Sequence, residues 1–183
     1  MHRPDLEVSE KVLGSEYLDT LTSVSNLWLM LSSQGKYKEA KATHRRGLGG
    51  SEKVFGPEHP DALISVSHLG SVLDCQGKYE KAELMHRRAL EARERVLKSE
   101  HLDTLTDVGN LASTYRNQGQ WKETEALQAK ELEICSRVLG SEHPDTLSSM
   151  DNLALTYRNQ GWWKEAKELQ AKELRMGRSI LPR

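Results

Sequence analysis

A nine-residue segment that recurs four times constrains the fold more than any other feature of the sequence. It reads LGSEYLDTL from Leu13, FGPEHPDAL from Phe55, LKSEHLDTL from Leu97 and LGSEHPDTL from Leu139, so successive copies lie 42 residues apart. A second segment keeps the same interval, as QGKY from Gln34 and from Gln76, QGQW from Gln118 and QGWW from Gln160. Because self-similarity at a fixed period is typical of repeat proteins, the sequence predicts an array of 42-residue repeats.

The two markers divide each repeat into two predicted helices, A and B. Between the markers, apolar residues recur at helical spacing, and we expect this face of helix A to be buried. The predicted core residues are Leu63, Val66, Leu69 and Leu73 in the second repeat, and Leu105, Val108, Leu111 and Tyr115 in the third.

Polar residues and glycines mark where these helices start and stop. An aspartate is predicted to cap the start of helix A, after a proline in two of the repeats (Pro60 and Pro144). These aspartates are Asp19, Asp61, Asp103 and Asp145. A glycine in the left-handed conformation is predicted to end helix A. These glycines are Gly35, Gly77, Gly119 and Gly161. Helix B then begins at Tyr37, Tyr79, Trp121 or Trp163 and has room for about 18 residues, or roughly five turns.

This register predicts the organisation of the whole chain. Residues 1–13 are a partial helix B, because Met1, His2 and Arg3 align with Met85, His86 and Arg87 at twice the period. Four repeats follow at 14–55, 56–97, 98–139 and 140–183. The sequence contains no polar capping helix, which favours a piece of a longer array, a degenerate short gene product, or association of copies through uncapped ends.

A glycine-rich stretch, RRGLGGSEKVFG from Arg45 to Gly56, resembles a phosphate-binding loop at first sight. That loop needs glycine before its lysine and Ser or Thr after it, whereas Glu52 precedes Lys53 and Val54 follows. The stretch lies 42 residues before RRALEARERVLK at 87–98, so a helix is predicted instead. Gly47, Gly49 and Gly50 should weaken that helix by about 3 kcal/mol in total.

Composition excludes several classes of partner. The net charge is −1 with no strongly one-sided segment, so neither nucleic acid nor an anionic membrane is expected to bind. No apolar run is long enough to span a membrane or to act as a secretion signal. The two cysteines, Cys75 and Cys135, lie far apart and are interpreted as reduced helix residues. We therefore expect a cytoplasmic protein.

The sequence contains no set of residues that would form a catalytic, metal or cofactor site. His59, His101 and His143 recur one repeat apart, too far to share a metal, so loop packing or helix capping is the predicted role. The HRR runs at His44 and His86 are interpreted as a solvated face with helix-spaced salt bridges. Trp162 is an extra aromatic residue that we expect to be exposed at the turn.

The second repeat resembles the tetratricopeptide family. Leu69, Gly70, Tyr79, Ala82 and Ala89 match the leucine, glycine, aromatic and two alanines of that family's pattern. The 42-residue period with EHPDTL and YRNQG is similar to the long-repeat subclass of kinesin light chains and of the C-terminal arrays of nucleotide-binding signalling ATPases. The resemblance covers essentially the whole chain and implies an all-α, right-handed superhelical solenoid of antiparallel helix pairs.

Departures from the family pattern place several large or polar residues where small ones are usual. Trp28 replaces the small residue between packed helices, Thr124 replaces the first alanine of helix B, and Glu131 and Glu173 replace its second alanine. We therefore expect the packing of the first and third repeats to differ from the family pattern.

The resemblance implies a concave groove, lined mainly by A helices, that binds a peptide of another protein. The inward positions would be Thr106, Gly109, Asn110, Ser113, Arg116 and Asn117 in the third repeat, and Ser148, Asp151, Asn152, Leu155, Arg158 and Asn159 in the fourth. Asn110 and Asn152 can bind a peptide backbone, and Arg116 and Arg158 can pair with carboxylates. The predicted partner is an acidic peptide, as in kinesin light chains, and the predicted site residues are Asn110, Ser113, Arg116, Asn117, Asn152, Leu155, Arg158 and Asn159.

Three alternatives remain open at this point. The repeated Asn and Arg residues could have a structural role alone, in which they hydrogen-bond to helix carbonyls and solvate the surface. The chain could act mainly by self-association through its ends. It could also be the regulatory segment of a nucleotide-dependent signalling protein whose other domains lie outside this sequence.

Overall fold

The described part of the chain is helical. The computed structural model describes residues 56–179 continuously and, before them, Ala42, Arg45, Gly49 and Glu52, which are all helical; side chains are described through Met176. Six helices follow one another from residue 60: α1 (Pro60–Cys75), α2 (Tyr79–Leu97), α3 (Leu102–Asn117), α4 (Trp121–Val138), α5 (Pro144–Gln160) and α6 (Trp163–Ser179). Residues 56–179 contain no strand, so the predicted all-α class is confirmed.

The chain divides into two compact bodies, an N-terminal body of residues 1–98 and a C-terminal body of residues 99–183. In the N-terminal body α1 packs against α2. In the C-terminal body α3 packs against α4, α4 against α5 and α5 against α6. Each A helix therefore pairs with the B helix that follows it, and α4 also contacts the A helix of the next repeat.

Histidines, rather than the predicted aspartates, cap the three A helices α1, α3 and α5. The Nδ1 atom of His59 accepts a hydrogen bond from the Asp61 backbone amide at 3.3 Å, and His101 and His143 accept from Asp103 and Asp145 at 3.2 Å each. For Asp61, Asp103 and Asp145 the prediction of a capping aspartate was wrong, because the histidine two residues before each of them already accepts the hydrogen bond from its backbone amide. Asp61 lies instead in the first helical turn, where its negative charge stabilises the helix dipole. Capping, one of the two roles predicted for the histidines, is confirmed.

The ends of the A helices and the starts of the B helices lie where the sequence predicted them. Gly77, Gly119 and Gly161 have φ of 69°, 75° and 83°, the left-handed conformation that only glycine adopts without strain. Each reverses the chain, as when the Gly77 amide donates to the Asp74 carbonyl at 2.9 Å. The B helices begin at the predicted aromatic residues and contain 19, 18 and 17 residues.

The core of the N-terminal body consists of apolar residues of α1 against two alanines of α2. Val66, Leu69 and Leu73 pack against Ala82 and Ala89, and all five are buried. The two alanines are the small residues on which the family resemblance was based. The core residues predicted for helix A of the second and third repeats are all buried, as expected.

His86 differs from its predicted environment. It was interpreted as part of a solvated face, but its side chain is only 1% exposed and its ring lies directly above Gly70. The other part of that prediction holds, because Arg87 forms a helix-spaced salt bridge with Glu83 at 2.9 Å. His86 is buried because Gly70 lacks a side chain and leaves room for an imidazole.

Polar side chains fill the tight positions of the C-terminal body. Thr124, which replaces the first alanine of helix B, is fully buried, and its hydroxyl lies 2.8 Å from the Gln120 carbonyl oxygen and 3.5 Å from that of Ala112. The buried Thr156 hydroxyl donates to Gln128 Oε1 at 2.6 Å and links α5 to α4. Because the buried Thr124 and Thr156 hydroxyls both have hydrogen-bond partners, the threonine that replaces alanine at position 124 does not disrupt the fold.

Two ion pairs on the surface each link two ends of one repeat. Glu58, just before α1, pairs with Arg95 in the last turns of α2 at 2.7 Å, and Glu100 pairs with Arg137 of α4 at the same distance. Each pair joins the start of a repeat to its end. Since all four side chains are exposed, each pair contributes at most about 1 kcal/mol.

Several sequence predictions fall on positions outside the described residues. Gly49 is helical, which agrees with a helix rather than a loop in the glycine-rich stretch. Gly47 and Gly50 lie outside the described residues, as do the A helix predicted for the first repeat with its cap Asp19, the substitution Trp28, and the partial helix at 1–13.

The close contact between Gly70 and His86 predicts the effect of a single methyl group. A Cβ atom at position 70 would lie 2.6 Å from His86 Cε1 and 2.8 Å from Nε2. Overpacking of this kind costs roughly 1–3 kcal/mol and outweighs the gain of up to about 1 kcal/mol from replacing a helical glycine. We expect Gly70→Ala to lower the free energy of unfolding of the N-terminal body by about 1 kcal/mol, measured by urea denaturation.

Two further variants test the cause. The third repeat carries Ala112 and Gln128 at the positions of Gly70 and His86, so adding His86→Gln should recover most of the stability lost in Gly70→Ala. Gly49 is helical and exposed, and a Cβ there would meet nothing within 4 Å. Gly49→Ala should therefore be neutral or stabilising by up to about 1 kcal/mol. Equal effects at positions 70 and 49 would contradict the steric explanation.

Two histidines predict that acid destabilises the N-terminal body. Burial lowers the pKa of His86 from 6.5 to about 4, and burial together with the Arg93 charge lowers the pKa of His68 to about 4. The unfolded chain takes up these protons near pH 6.5, whereas the folded chain takes them up only near pH 4. Stability is therefore fully present above this window and is lost as the pH falls through it.

Within this pH window, each histidine lowers the free energy of unfolding by up to about 1.4 kcal/mol for each unit by which the pH falls. We expect the His86→Gln variant to lose less stability than the wild type between about pH 7 and about pH 5, measured by urea unfolding at both values. The same loss in both proteins would show that His86 is not a source of the acid sensitivity.

Candidate functional site

A polar cleft of about 350 Å³ lies in the C-terminal body, between α3, α4 and α5. Most of its lining side chains can donate or accept hydrogen bonds. They are Thr106, Asn110, Ser113 and Arg116 of α3 beside Gly109; Gln128 and Glu131 of α4 beside Cys135; and Asp145, Ser148, Ser149 and Asn152 of α5. Leu102 and Leu105 complete the wall at the start of α3.

One face of α3 forms a continuous side of the cleft. Thr106, Asn110, Ser113 and Arg116 follow one another at intervals of three or four residues, with Gly109 next to Asn110, which places them on the same side of a helix. The Arg116 side chain is half-buried at the end of this row, where its Nη2 atom donates to Ser113 Oγ at 3.2 Å. This contact holds the guanidinium against the cleft wall.

The cleft contains only part of the predicted site. Asn110, Ser113, Arg116 and Asn152 line it, together with Thr106, Gly109 and Ser148 from the longer list of inward positions. Four other predicted site residues are exposed and lie outside its lining, namely Asn117, Leu155, Arg158 and Asn159; the inward position Asp151 is also exposed and outside it. The predicted residues of α3 are therefore brought together more closely than those of α5.

Glu131 forms the floor of the cleft. It occupies the repeat position of Ala89, which is fully buried in the N-terminal body. Its Oε1 atom lies 3.8 Å from where a Cβ would stand on Gly109, an ordinary van der Waals distance, so the carboxylate packs against this part of α3. The Ser149 hydroxyl lies 3.3 Å from Glu131 Oε1, 2.9 Å from the Asp145 carbonyl oxygen and 3.8 Å from Cys135 Sγ. With one proton, the hydroxyl donates to one of these acceptors at a time.

The environment of the Glu131 carboxyl disfavours its charged form. Burial raises its pKa above the ordinary value, and the nearby Asp145 carboxylate acts in the same direction, while the hydrogen bond from Ser149 opposes both. Burial also raises the pKa of the neighbouring Cys135 thiol. The floor of the cleft is thus an acidic site with incomplete solvation.

Sequence analysis did not identify this floor as part of the site. Glu131 was noted only as a departure from the alanine pattern, and Asp145 only as a cap. The useful signal was the combination of a carboxylate at a small-residue position with a glycine, Gly109, on the facing helix. Ser149 and Gln128 had no comparable signal, because packing of α4 on α5 places them at the cleft.

An exposed aromatic pair lies at the turn between α5 and α6. Trp162 is 45% exposed, as predicted, and its ring stacks on Tyr157 with centroids 5.6 Å apart and an interplanar angle of 28°. Burial, with the charges of Glu125 and Glu165, raises the pKa of the Tyr157 hydroxyl. The stacking holds Trp162 at the turn, so its packing partner is α5.

The side chains of the cleft are of the kinds that bind a polar ligand. Amide and hydroxyl side chains line its walls, a guanidinium lies at one end, and a carboxylate lies beneath its middle turn. Among residues 56–176, no group of three or more histidine, cysteine, aspartate or glutamate side chains could hold a metal ion. None of the six helices is long and apolar enough to cross a membrane.

Solved structures with similar folds include kinesin-light-chain-like proteins. A kinesin-light-chain-like protein from Podosopora anserina with nearly identical TPR-like repeats has a TM-score of 0.84 and 26% identity, over 100% of this chain and 86% of that one. BtubC (BKLC) from P. vanneervenii has a TM-score of 0.83 and 17% identity, over 98% of this chain and 72% of that one. MamA from Desulfovibrio magneticus RS-1 has a TM-score of 0.62 and 15% identity, over 99% and 96% of the two chains. The last two show the fold alone.

The family comparison agrees with the period and the helix pairs. No curated protein matches the sequence significantly. The tetratricopeptide repeat model matches residues 29–95 and 100–179, which together cover most of the chain. With its all-α fold and its kinesin-light-chain-like structural neighbours, this chain belongs to the tetratricopeptide repeat family.

Proposed function

We propose that this protein is a non-catalytic interaction scaffold that binds a peptide segment of a partner protein in the cleft of the C-terminal body. The tetratricopeptide fold is typical of protein-interaction scaffolds. The observation that carries the proposal is the row of hydrogen-bonding side chains along α3, which ends at the half-buried Arg116.

The walls of the cleft can bind a peptide backbone. Asn110 of α3 and Asn152 of α5 both line it, and a carboxamide can donate to a backbone carbonyl while accepting from a backbone amide. Ser113 and Ser148 add hydroxyls on the same two helices. The volume of about 350 Å³ lies within the usual range of binding pockets.

Arg116 gives the cleft a preference for an acidic residue. A guanidinium binds a carboxylate through two parallel hydrogen bonds, and Arg116 is already held in place by Ser113. Arg158 occupies the same repeat position on α5 and is exposed outside the cleft, where it would extend the acidic contact by one repeat. In this proposal Asn117, Leu155 and Asn159 border the path of a longer peptide.

The proposed compartment is the cytoplasm. Cys75 and Cys135 are both free thiols in the structure, one exposed and one buried. Free thiols without a disulfide partner are usual in reducing compartments. This supports a partner that is also intracellular.

Loss of Arg116 should weaken binding of acidic peptides. We expect a displayed library of random peptides to yield acidic sequences on the wild-type protein. Arg116→Ala should lower the affinity of those peptides by about tenfold or more, since a hydrogen bond to a charged group contributes about 1.5–3 kcal/mol. Isothermal titration calorimetry with the selected peptides measures the change.

Two matched variants separate the cleft from general charge effects. Arg158→Ala should have a smaller effect than Arg116→Ala, because only Arg116 lines the cleft. Arg175→Ala removes the same charge from an exposed position of α6 and should leave binding unchanged. The proposal is wrong if the library yields no peptides, or if all three variants bind them equally well.

A further inference from the structure

The cleft carries opposite charges at two separate places along α3. Glu131 lies beneath Gly109 with Asp145 nearby, whereas Arg116 lies near the end of the helix. Gly109 and Arg116 are seven residues apart, which corresponds to about 10 Å along the helix axis. A ligand that fills the cleft would therefore meet an acidic region and a basic region about 10 Å apart.

Glu131 is the more buried carboxylate of the acidic region. Among the described residues, no lysine or arginine lies close enough to Glu131 for an ion pair, and its hydrogen-bond partner is the Ser149 hydroxyl. The Asp145 carboxylate lies 3.6 Å from His143 Nδ1. That nitrogen also accepts a hydrogen bond from the Asp145 backbone amide, the contact by which His143 caps α5. Asp145 is also exposed and lies in the first turn of α5, where the helix dipole stabilises its charge, so Glu131 is the carboxylate of the cleft with little internal compensation.

From this arrangement we infer that the acidic region binds the lysine or arginine side chain of the same partner segment that places its carboxylate at Arg116. The inference rests on the proposed function and deepens it, because it changes the predicted partner from an acidic peptide to one carrying both charges. A cation beside Glu131 would replace solvent that this partly buried carboxylate has lost and would offset its repulsion by the Asp145 carboxylate.

The distance between the charged regions sets the spacing in the peptide. An extended chain rises about 3.3 Å per residue, so about 10 Å corresponds to three residues. We expect bound segments to carry an acidic and a basic residue about three positions apart. A peptide with only acidic residues would place a carboxylate near Glu131, and repulsion would weaken its binding.

The test uses one displayed random-peptide library on three forms of the full chain: wild type, Glu131→Gln and Glu133→Gln. Glutamine keeps the size of the side chain at position 131 and an oxygen that can accept from Ser149, so the variant removes mainly the charge. Glu133 is exposed on α4 and lies outside the cleft, so its variant is the matched control. Circular dichroism melting verifies that each variant is folded.

The wild type and Glu133→Gln should enrich peptides with paired acidic and basic residues. Glu131→Gln should still enrich acidic residues but lose the enrichment in lysine and arginine. For a selected peptide, replacing its basic residue by alanine should weaken binding to wild type at least about tenfold and should have little effect on Glu131→Gln. The peptide substitution on wild type needs no altered protein, so it decides the question even if Glu131→Gln is unfolded.

The outcomes separate the two levels of the proposal. If wild type enriches no peptide, both the proposed function and this inference are wrong. If it enriches acidic peptides whose binding depends on Arg116 but is unaffected by Glu131→Gln or by loss of basic residues, the inference is wrong and the proposed function stands. If Glu133→Gln abolishes basic enrichment as fully as Glu131→Gln, the effect is one of net charge and the inference is also wrong.

Discussion

The close approach of paired helices is the constraint on which the rest of the structure depends. Where α1 meets α2, the two contact residues Ala82 and Ala89 are fully buried alanines, and Gly70 leaves room for His86. A larger side chain at such a position must find space elsewhere or carry its own polar partners. The third repeat does this, since the Thr124 hydroxyl reaches backbone carbonyls and Glu131 extends toward Gly109. The cleft floor therefore results from the same packing rule that holds the repeats together.

Local features of the fold could be predicted because they depend on neighbours in sequence. The left-handed glycine Gly77 and the following start at Tyr79 needed only the chemistry of helix ends. The caps were assigned wrongly because both His59 and Asp61 carry suitable acceptors, and the choice depends on side-chain geometry at the first turn. The burial of His86 depends on a residue of another helix, which periodicity within α2 does not reveal.

The site shows the same division between local and distant information. The wall formed by α3 could be predicted from the family resemblance, which indicates the face that lines the groove, together with the helical spacing of Asn110, Ser113 and Arg116. The floor could not, since Glu131 and Ser149 come from two other helices and meet only after α4 packs against α5. A carboxylate at a repeat position normally occupied by alanine was the sequence feature that indicated this arrangement. It could be interpreted only once the facing residue, Gly109, was known.

The ion pairs that join Glu58 to Arg95 and Glu100 to Arg137 each lie within one repeat, so they would survive any recombination that adds or removes a whole 42-residue unit. The contacts of Thr156 with Gln128 and of Ser149 with Glu131 cross from one repeat to the next and would not survive. Gene duplication can thus lengthen such an array while leaving each unit intact. A new neighbour, however, would alter the recognition surface at once, so changes in repeat order offer a direct evolutionary route to new partners.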